Sequence, residues 1–369
     1  MVSVRRYQTV FVTVVPSPYQ RDLFRALAAR EEIGLTVCYL EAASPDSPWP
    51  GAQLEAYERI LPGFWVPFLG TRWHVNWSLP ELSRYDFVIL NNFSTVTAQW
   101  LMRCPLRGKR WVFWGERLRE QTIAWKEFAQ RKLIEPLERA AGIVGIGSDA
   151  ESDYRRRFPN TSHFCIPYYC DLSGFLARPM RPIPSSEIHF LFCGQMNRRK
   201  GVDLLLMAFD RLVNKRVNAY LVLVGREAEL PQFLRMISPA AGARIDYAGF
   251  QPPERLPEYF SQADVLVLPS RYDGWGVVVN QALGAGLPVI CSDAVGAGHD
   301  LVEEEINGLK FQRGNVDSLA EGMGRLAANP EITAKWGETS RRKARHLSPE
   351  VGASNWIEVF STLLNKPSA

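Results

Sequence analysis

Short apolar runs alternate with amphipathic segments along the whole chain. In the first half, the runs at 10–15 and 35–40 are rich in Val and Leu, and residues 20–30 place Leu and Ala on one helical face. Runs of this length predict buried strands, whereas apolar residues three or four apart predict a helix. Further strands are predicted at 87–90, 110–114 and 143–146, and further helices at 94–102, 116–141 and 149–157. Residues 41–80, rich in Pro, Gly and Trp, predict an irregular excursion.

The same alternation starts again after a stretch with the composition of a linker. Residues 172–187 combine three prolines with Ser185-Ser186. The second half then predicts strands at 188–193, 219–224, 244–248, 265–268 and 289–291, and helices at 202–213, 229–238, 255–261, 277–285 and 316–328. Strands that alternate with helices favour parallel sheets with right-handed crossovers. We therefore predict an α/β protein with two Rossmann-like domains, residues 1–182 and 183–348, whose parallel sheets face each other across a cleft.

Composition restricts the classes of protein that fit this pattern. The chain has 369 residues, of which 46% are hydrophobic and 22% charged, and this is ordinary for folded domains. A net charge of +4 without a dense basic patch argues against nucleic-acid binding. Neither the six cysteines nor the five histidines have metal-site spacing, so we expect a cytoplasmic protein without a metal. No apolar run approaches the ~18 residues of a membrane span, and the first run is too short for a signal peptide.

One segment of the first half concentrates positive charge. Residues 103–139 contain ten Lys or Arg against five Glu. The aromatic residues interleaved with these charges are Trp111, Phe113, Trp114, Trp125 and Phe128. A basic surface with aromatic side chains can contact an anionic membrane, which would make the protein peripheral at the inner face of the cytoplasmic membrane. The alternative is a solvated helix face over buried aromatic residues.

A basic loop joins the strand at 188–193 to the helix at 202–213. Its sequence is Gly194-Gln195-Met196-Asn197-Arg198-Arg199-Lys200-Gly201. The two glycines permit a tight turn and a close approach of the backbone. Arg binds phosphate oxygens through two hydrogen bonds, and Lys acts as a point charge. The loop is therefore either a diphosphate site at the end of a strand or a solvated basic connection.

A second loop follows the strand at 265–268. It carries Asp273 and Gly274-Trp275-Gly276, and a helix that contains Val278 and Gln281 opens at Val277. Backbone N–H groups at a helix start favour phosphate, with help from the helix dipole. The Asp273 carboxylate can accept hydrogen bonds from sugar hydroxyls. The alternative is that Asp273 only caps the helix.

Together the two loops resemble the donor site of the retaining glycosyltransferases of family 4, which have the GT-B fold. In that family a G-R-x-x-x-x-K-G loop and an E-x7-E segment bind a nucleotide-sugar. The matching positions here are Gly194, Lys200, Gly201, Asp273, Gln281, 274–276, 286–290 and 306–309. Asp273 and Gln281 stand at the two acidic positions. The resemblance spans about 188–330 and is weaker over the first half.

The resemblance implies transfer of a sugar, with retained anomeric configuration, from a nucleotide-sugar to a saccharide or lipid-linked saccharide. It suggests synthesis of a cell-surface polysaccharide or lipopolysaccharide, with UDP a commoner donor than GDP. Lys200 and Arg199 would stabilise the departing diphosphate, and Asp273 would hold the donor sugar. The donor-binding residues would be Gly194, Gln195, Gly274, Trp275, Gly276, Val277, Val278 and Gln281. No cofactor and no essential metal are implied, and the helix of residues 349–369 is expected to cross back to the first domain.

Two positions depart from the family pattern. Gln195 replaces an arginine and Gln281 replaces a glutamate. An uncharged amide still accepts a hydrogen bond, but it does so more weakly than a carboxylate, by about 1 kcal/mol. These departures keep open a non-catalytic nucleotide-sugar-binding subunit.

Fewer sequence features indicate which residues bind the acceptor. Ser17, Tyr19 and Arg21 follow the first strand, and Glu116 follows the strand at 110–114, near the position where the family often has a histidine. We expect these residues to face the acceptor. For Glu116 the alternative is a helix-start residue that the dipole favours. A soluble small-molecule acceptor also remains open, whereas the absence of G-x-G-x-x-G after the first strand argues against a dinucleotide-dependent oxidoreductase.

Overall fold

The chain folds into two compact units. The computed structural model describes residues 5–43, 53–68, 71–182 and 187–365. One unit consists of Met1–Tyr169 with Pro349–Ala369, and the other of Cys170–Ser348. The linker composition predicted a boundary between residues 182 and 183, whereas the first unit ends at Tyr169 and residues 170–182 belong to the second unit. The reason is packing, since Phe175 stacks edge-on against Phe260 of the second unit at 5.2 Å between ring centroids.

Seven parallel strands form the sheet of the first unit. Their order is β3-β2-β1-β6-β7-β8-β9, and a two-stranded antiparallel hairpin, β4-β5, stands apart from it. The strands are β1 Tyr7–Thr13, β2 Ile33–Tyr39, β3 Glu58–Ile60, β4 Gly63–Phe68, β5 Thr71–Asn76, β6 Phe87–Leu90, β7 Trp111–Gly115, β8 Gly142–Gly145 and β9 Ser162–Cys165. The helices are α1 Pro18–Ala28, α2 Val96–Arg103, α3 Ala124–Ile134, α4 Ser148–Arg157 and, from the end of the chain, α14 Pro349–Asn365.

The core of this unit has two layers because successive side chains of a strand point to opposite faces. Val10 and Val12 of β1 belong to a buried cluster with Trp111 and Phe113 on one face. Phe11, between them, contacts the opposite layer. The α14 helix belongs to that layer.

Helix α14 covers the second face with aromatic side chains. The Trp356 ring lies 5.2 Å from Phe11 and 5.7 Å from Trp114, and Phe360 stacks on Phe87 at 4.7 Å. Both Trp356 and Phe360 are fully buried. The last helix is therefore part of the hydrophobic core of the first unit.

Six parallel strands form the sheet of the second unit, in the order β12-β11-β10-β13-β14-β15. The strands are β10 Ile188–Cys193, β11 Ala219–Val224, β12 Ile245–Gly249, β13 Val265–Leu268, β14 Val289–Ser292 and β15 Gly308–Phe311. The helices are α5 Ser173–Leu176, α6 Val202–Asn214, α7 Leu230–Leu234, α8 Pro239–Gly242, α9 Leu256–Ser261, α10 Val278–Ala285, α11 Gly296–Leu301, α12 Val316–Ala327 and α13 Pro330–Ala344. The prediction of an α/β fold with two Rossmann-like halves is confirmed.

Two predicted segments differ from the structure. The excursion at 41–80 contains β3 and the hairpin β4-β5, although its residues 44–52 and 69–70 lie outside the described part. The hairpin escaped prediction because Phe64, Trp65 and Val66 are all exposed, so its strands lack the alternation of a half-buried sheet. The helix predicted over 116–141 is shorter and gives way to a 3-10 turn at Glu135–Arg139, which contains Pro136.

Candidate functional site

The loop between β10 and α6 folds tightly onto the end of β13. Gly201 has φ 74°, and a Cβ atom there would lie 2.0 Å from the Pro269 carbonyl oxygen. The Asn197 side chain holds the turn, since it donates to Gln195 Oε1 at 2.8 Å and accepts from the Lys200 backbone N–H at 2.9 Å. The amide of Gln195, which stands at the family's arginine position, is thus engaged inside its own loop.

Lys200 and Asp273 form the ion pair at the centre of the site. The Lys200 ammonium lies 2.5 Å from Asp273 Oδ2, and the two side chains are only 16% and 10% exposed. The Ser270 hydroxyl is 3.4 Å from the same oxygen. No side chain caps α10, so the carboxylate of Asp273 serves Lys200 rather than the helix start. The structure brings together the two residues that the sequence singled out from separate loops.

A third segment fixes the backbone of Asp273. The Asp273 N–H donates to the Ala294 carbonyl at 3.1 Å, and the Gly296 N–H donates to the Asp273 carbonyl at 3.2 Å. A Cβ atom on Gly296 would lie 2.3 Å from the Gly274 carbonyl oxygen, so only glycine permits this approach. The His299 ring, beyond this turn, contacts the Asp293 carbonyl at 3.0 Å. Three loops therefore converge on Asp273.

Arginines join the first two loops. Arg199 is exposed, and its guanidinium donates to the Tyr272 carbonyl at 3.3 Å. Arg271, which the sequence analysis did not single out, forms two hydrogen bonds with the Asp203 carboxylate at 2.6 and 2.7 Å and another with the Arg198 carbonyl at 2.6 Å. A planar guanidinium suits such a bidentate contact. Arg271 holds the basic loop against the loop of Asp273.

The start of α10 offers backbone N–H groups, rather than side chains, to a ligand. Gly276 has φ 93°, and the Trp275 side chain is fully buried, with its indole N–H donated to Asn280 at 2.9 Å. Trp275 is therefore a core residue whose ring cannot contact a donor, in contrast to the expectation from its motif. The helix begins at Val278, after Val277, and the first N–H groups of a helix have no partner within it. This arrangement suits an anion.

The thiols of Cys193 and Cys291, near the site, are expected to be unreactive at neutral pH. Burial raises the pKa of Cys193 to about 12, against a smaller opposite effect of the Lys200 charge. Burial likewise raises the pKa of Cys291 to about 12. A thiol with so high a pKa is a poor nucleophile at neutral pH. Among the described ranges, no three His, Cys, Asp or Glu side chains converge where a metal ion could be held.

The acceptor-side candidates lie in the first unit, and one of them has a structural role. Arg21 is 7% exposed and forms a bidentate ion pair with Glu58, at 2.8 Å from Nε and 2.6 Å from Nη2. Its guanidinium also donates to the Gln53 carbonyl at 2.7 Å. The expectation that Arg21 faces an acceptor is therefore wrong, since its hydrogen-bonding groups are directed to Glu58 and Gln53.

Two of the other candidates, Tyr19 and Glu116, contact a buried tyrosine that the sequence analysis missed. The Tyr168 ring packs edge-on against Tyr19 at 4.9 Å, and its hydroxyl is hydrogen-bonded to Glu116. Burial, and next the Glu116 carboxylate, raise the pKa of Tyr168. Gln20, next to Tyr19, reaches the Tyr168 hydroxyl at 3.4 Å, and Ser17 is buried at the start of α1. No sequence motif marks Tyr168, which explains why it was missed.

Comparisons with known proteins agree with this geometry. The family described as glycosyl transferases group 1 matches residues 177–343. An uncharacterised glycosyltransferase of Methanocaldococcus jannaschii is 31% identical over 149 residues, which are 40% of this chain and 37% of that one. The D-inositol 3-phosphate glycosyltransferase of Streptomyces griseus is 27% identical over 236 residues, 61% of this chain and 50% of that one. The chain thus spans half or less of the length of these relatives.

Solved structures match over nearly the whole chain. Sucrose-phosphate synthase from Thermosynechococcus elongatus has a TM-score of 0.75 at 20% identity, and covers 97% of this chain and 99% of its own. HepE from Anabaena, in complex with UDP-glucose, has a TM-score of 0.70 at 15% identity over 97% and 100%. At these identities the likeness concerns the fold. The chain has the GT-B fold, and its residues 177–343, somewhat less than half of the chain, match the family described as glycosyl transferases group 1.

Proposed function

We propose that this chain is a retaining glycosyltransferase that moves a sugar from a nucleotide-sugar, UDP-linked rather than GDP-linked, to a hydroxyl of a glycan acceptor. The observation that carries the proposal is the convergence of Lys200, Asp273 and Arg199 beside the start of α10. The family match over 177–343 supports it, and the complex of the related fold with UDP-glucose supports the donor class.

Lys200, Arg199 and the start of α10 would each bind the diphosphate in a different way. Lys200 donates one N–H to Asp273, and its ammonium has two further N–H donors for a diphosphate. Arg199 adds a second, exposed cation, and the α10 start adds backbone N–H groups. The charge on the diphosphate grows as the bond from the sugar C1 to its oxygen breaks, so these groups favour the transition state.

Transfer then needs no separate protein base. The acceptor oxygen forms its bond to C1 on the face that the diphosphate leaves, and the acceptor proton passes to the departing phosphate oxygen. Asp273 holds the donor sugar by accepting from its hydroxyls, and Gln281 accepts from the nucleotide. We expect the reaction to proceed without a cofactor or an essential metal.

We assign the acceptor to a lipid-linked saccharide of cell-surface polysaccharide or lipopolysaccharide synthesis at the inner membrane face. Helix α3 supports membrane contact, because Trp125 and Phe128 are 53% and 54% exposed and Lys126, Arg131 and Lys132 lie on the same short helix. Exposed aromatic and basic side chains suit an anionic interface. None of the described helices combines the length and hydropathy of a membrane span. Exclusion from anionic vesicles at low salt would instead favour a soluble acceptor.

Nucleotide binding tests the donor site directly. We would measure thermal shifts with UDP, GDP, ADP, CMP and their common sugar conjugates, for the wild type, Lys200→Ala and Lys215→Ala. Lys215 is an exposed lysine that ends α6, and it controls for the loss of one positive charge. Ligand at 100 times its dissociation constant should stabilise the protein by about 2.7 kcal/mol.

The outcomes separate the two candidate functions. A shift with UDP compounds that Lys200→Ala abolishes and Lys215→Ala keeps supports the donor site, and release of UDP with an acceptor supports catalysis. Binding without turnover favours a non-catalytic subunit, which the internal engagement of Gln195 and the amide at Gln281 motivate. No shift with any nucleotide contradicts both.

A further inference from the structure

A large apolar cavity lies in the first unit, away from the residues described above. Its volume is about 760 Å³, and its walls come from β5, the segment after it, α2 and the loop after α2. The lining includes Trp77, Leu79, Pro80, Val96, Trp100 and Lys109. Cavities that hold small molecules measure roughly 300–1,000 Å³. The cavity is thus large enough for a ligand.

Two polar side chains at the cavity wall, Thr97 and Asn76, form hydrogen bonds within the protein. The Thr97 hydroxyl accepts from the Asn76 N–H at 2.9 Å and contacts the His74 carbonyl at 3.1 Å. The Asn76 side chain donates to the Leu40 carbonyl at 2.9 Å. These bonds join the hairpin to α2 and to the sheet. What remains for a ligand is mainly an apolar surface.

Two indole rings are about half exposed at this surface. Trp77 is 52% exposed and Trp100 is 50% exposed, and both line the cavity. Phe64 of the hairpin, 54% exposed, packs beside Trp77 at 6.2 Å. A contiguous exposed apolar surface of this kind marks an interaction site. The occupant should therefore be apolar along its length.

One basic side chain, Lys109, lines the cavity. Glu81, an exposed acidic residue that acts on Lys109, is paired with Arg84 at 2.7 Å. The positive charge of Lys109 complements an anionic head group. Apolar walls with one cationic lining residue fit an amphiphile with a hydrocarbon chain and a phosphate.

We propose that this cavity receives the hydrocarbon chain of the lipid carrier on which the acceptor saccharide is built, with the carrier phosphate at Lys109. The inference rests on the proposed function, in which the acceptor is lipid-linked. It adds a site in the first unit that selects the carrier. The cavity is distinct in its residues from the exposed face of α3, which contacts the bilayer.

The test is binding of a polyprenyl phosphate in neutral detergent micelles to the full chain. Tryptophan fluorescence reports it, because Trp77 and Trp100 are half exposed and would be covered. The variants are Trp100→Ala and Lys109→Gln, and their matched controls are Met236→Ala and Lys215→Gln, two exposed side chains of the second unit that lie in none of the proposed sites. We expect the cavity variants to raise the dissociation constant about tenfold and the controls to change it by less than about twofold.

Thermal shifts with nucleotides, measured on the same samples, distinguish failure of the cavity proposal from failure of the proposed donor site. Trp100→Ala should retain the UDP shift, so lost carrier binding with a retained UDP shift concerns the cavity alone. Equal weakening by Trp125→Ala on α3 would overturn the proposal in favour of general adsorption. Equal affinity for a phosphatidylglycerol in the same micelles would overturn carrier selection. Dimerisation that Trp100→Ala abolishes would assign the cavity to an interface between copies.

Discussion

Lys200 and Asp273 meet where neither side chain keeps more than a small exposed fraction, so each charge depends on the other. Removing one member of such a pair leaves a poorly solvated charge behind. Within the described part of the chain, Asp273 would then retain only the Ser270 hydroxyl, at 3.4 Å, as a side-chain partner. The residue that we assign to diphosphate binding thus also stabilises its own loop.

We expect Lys200→Ala and Asp273→Ala each to lower the free energy of unfolding by about 3 kcal/mol. The double variant should lose less than the sum, because the second substitution removes the charge that the first left alone. Urea denaturation of the four proteins measures this coupling. Strictly additive losses would mean that the ion pair does not form in solution.

Gly201 offers a sharper test of the loop geometry. Gly201→Ala meets both a positive φ and the Pro269 carbonyl, so we expect a loss of about 3 kcal/mol or more. Gly314 has φ 86° but open space around it, so Gly314→Ala should cost only about 1 kcal/mol. Thermal unfolding compares the two. Similar losses would contradict the close approach of the basic loop to β13.

The sequence identifies some residues of the candidate site, but it does not identify residues whose partners are distant in the chain. Lys200 and Asp273 could be singled out because each lies in a loop with its own local pattern after a strand. The pair Arg271–Asp203 joins residues 68 apart, and Arg21–Glu58 joins residues 37 apart. Such partners meet only after the chain has folded, so no local pattern marks them. Arg21 was misassigned for that reason.

Single elements depend on a few buried polar contacts. Strand β3 has only three residues, and Glu58 in it accepts from Arg21 of α1 and from the Tyr39 hydroxyl of β2 at 2.6 Å. Burial alone would raise the pKa of Glu58, but the hydrogen bonds from Arg21, the Glu55 N–H and Tyr39 outweigh it and lower the pKa. One buried carboxylate therefore holds the edge strand in addition to its backbone pairing with β2.

The lowered pKa of Glu58 predicts that its contribution to the free energy of unfolding depends on pH. A group with a lower pKa in the folded state stabilises above its unfolded value, about 4.3 for glutamate, and loses that effect as the pH falls. Glu58→Gln should therefore destabilise by about 3 kcal/mol at neutral pH, and by less below pH 4. Urea titrations across this range measure the difference.

A matched control separates burial from charge. Glu305 also has a lowered pKa, through its hydrogen bond with Arg325, but it is fully exposed. Glu305→Gln should have a smaller effect that high salt removes, because exposed pairs are screened. A loss for Glu58→Gln that is constant with pH would contradict the assigned charge.

Element prediction from the sequence succeeded where burial imposes a pattern. The strands β10, β11 and β13 are continuous apolar runs, and their limits agree with those predicted. The hairpin β4-β5 and helix α3 carry exposed aromatic side chains, and the rule that apolar residues lie inside missed the hairpin and gave α3 limits that are too wide. The surfaces that we assign to lipid contact are those where the pattern fails.

For the molecule as a whole, α14 connects distant parts of the sequence. Its buried aromatic residues contact Phe11, Phe87 and Trp114 in the first unit. Trp356→Ala should cost about 3–5 kcal/mol, as for other buried aromatic truncations. Trp100→Ala, which removes a half-exposed ring, should cost far less. Urea denaturation followed by fluorescence distinguishes them, and equal losses would contradict the burial of Trp356.

Because the first unit is completed by residues 349–365, its core closes only after those residues have left the ribosome, whereas residues 170–348 can fold earlier. The second unit can thus complete its fold before the first unit, although most of the first unit is synthesised earlier. A chain cut short before α14 would expose the aromatic face of the first sheet to chaperones and proteases. A chain that lacks α14 is therefore expected to be degraded faster than one that contains it.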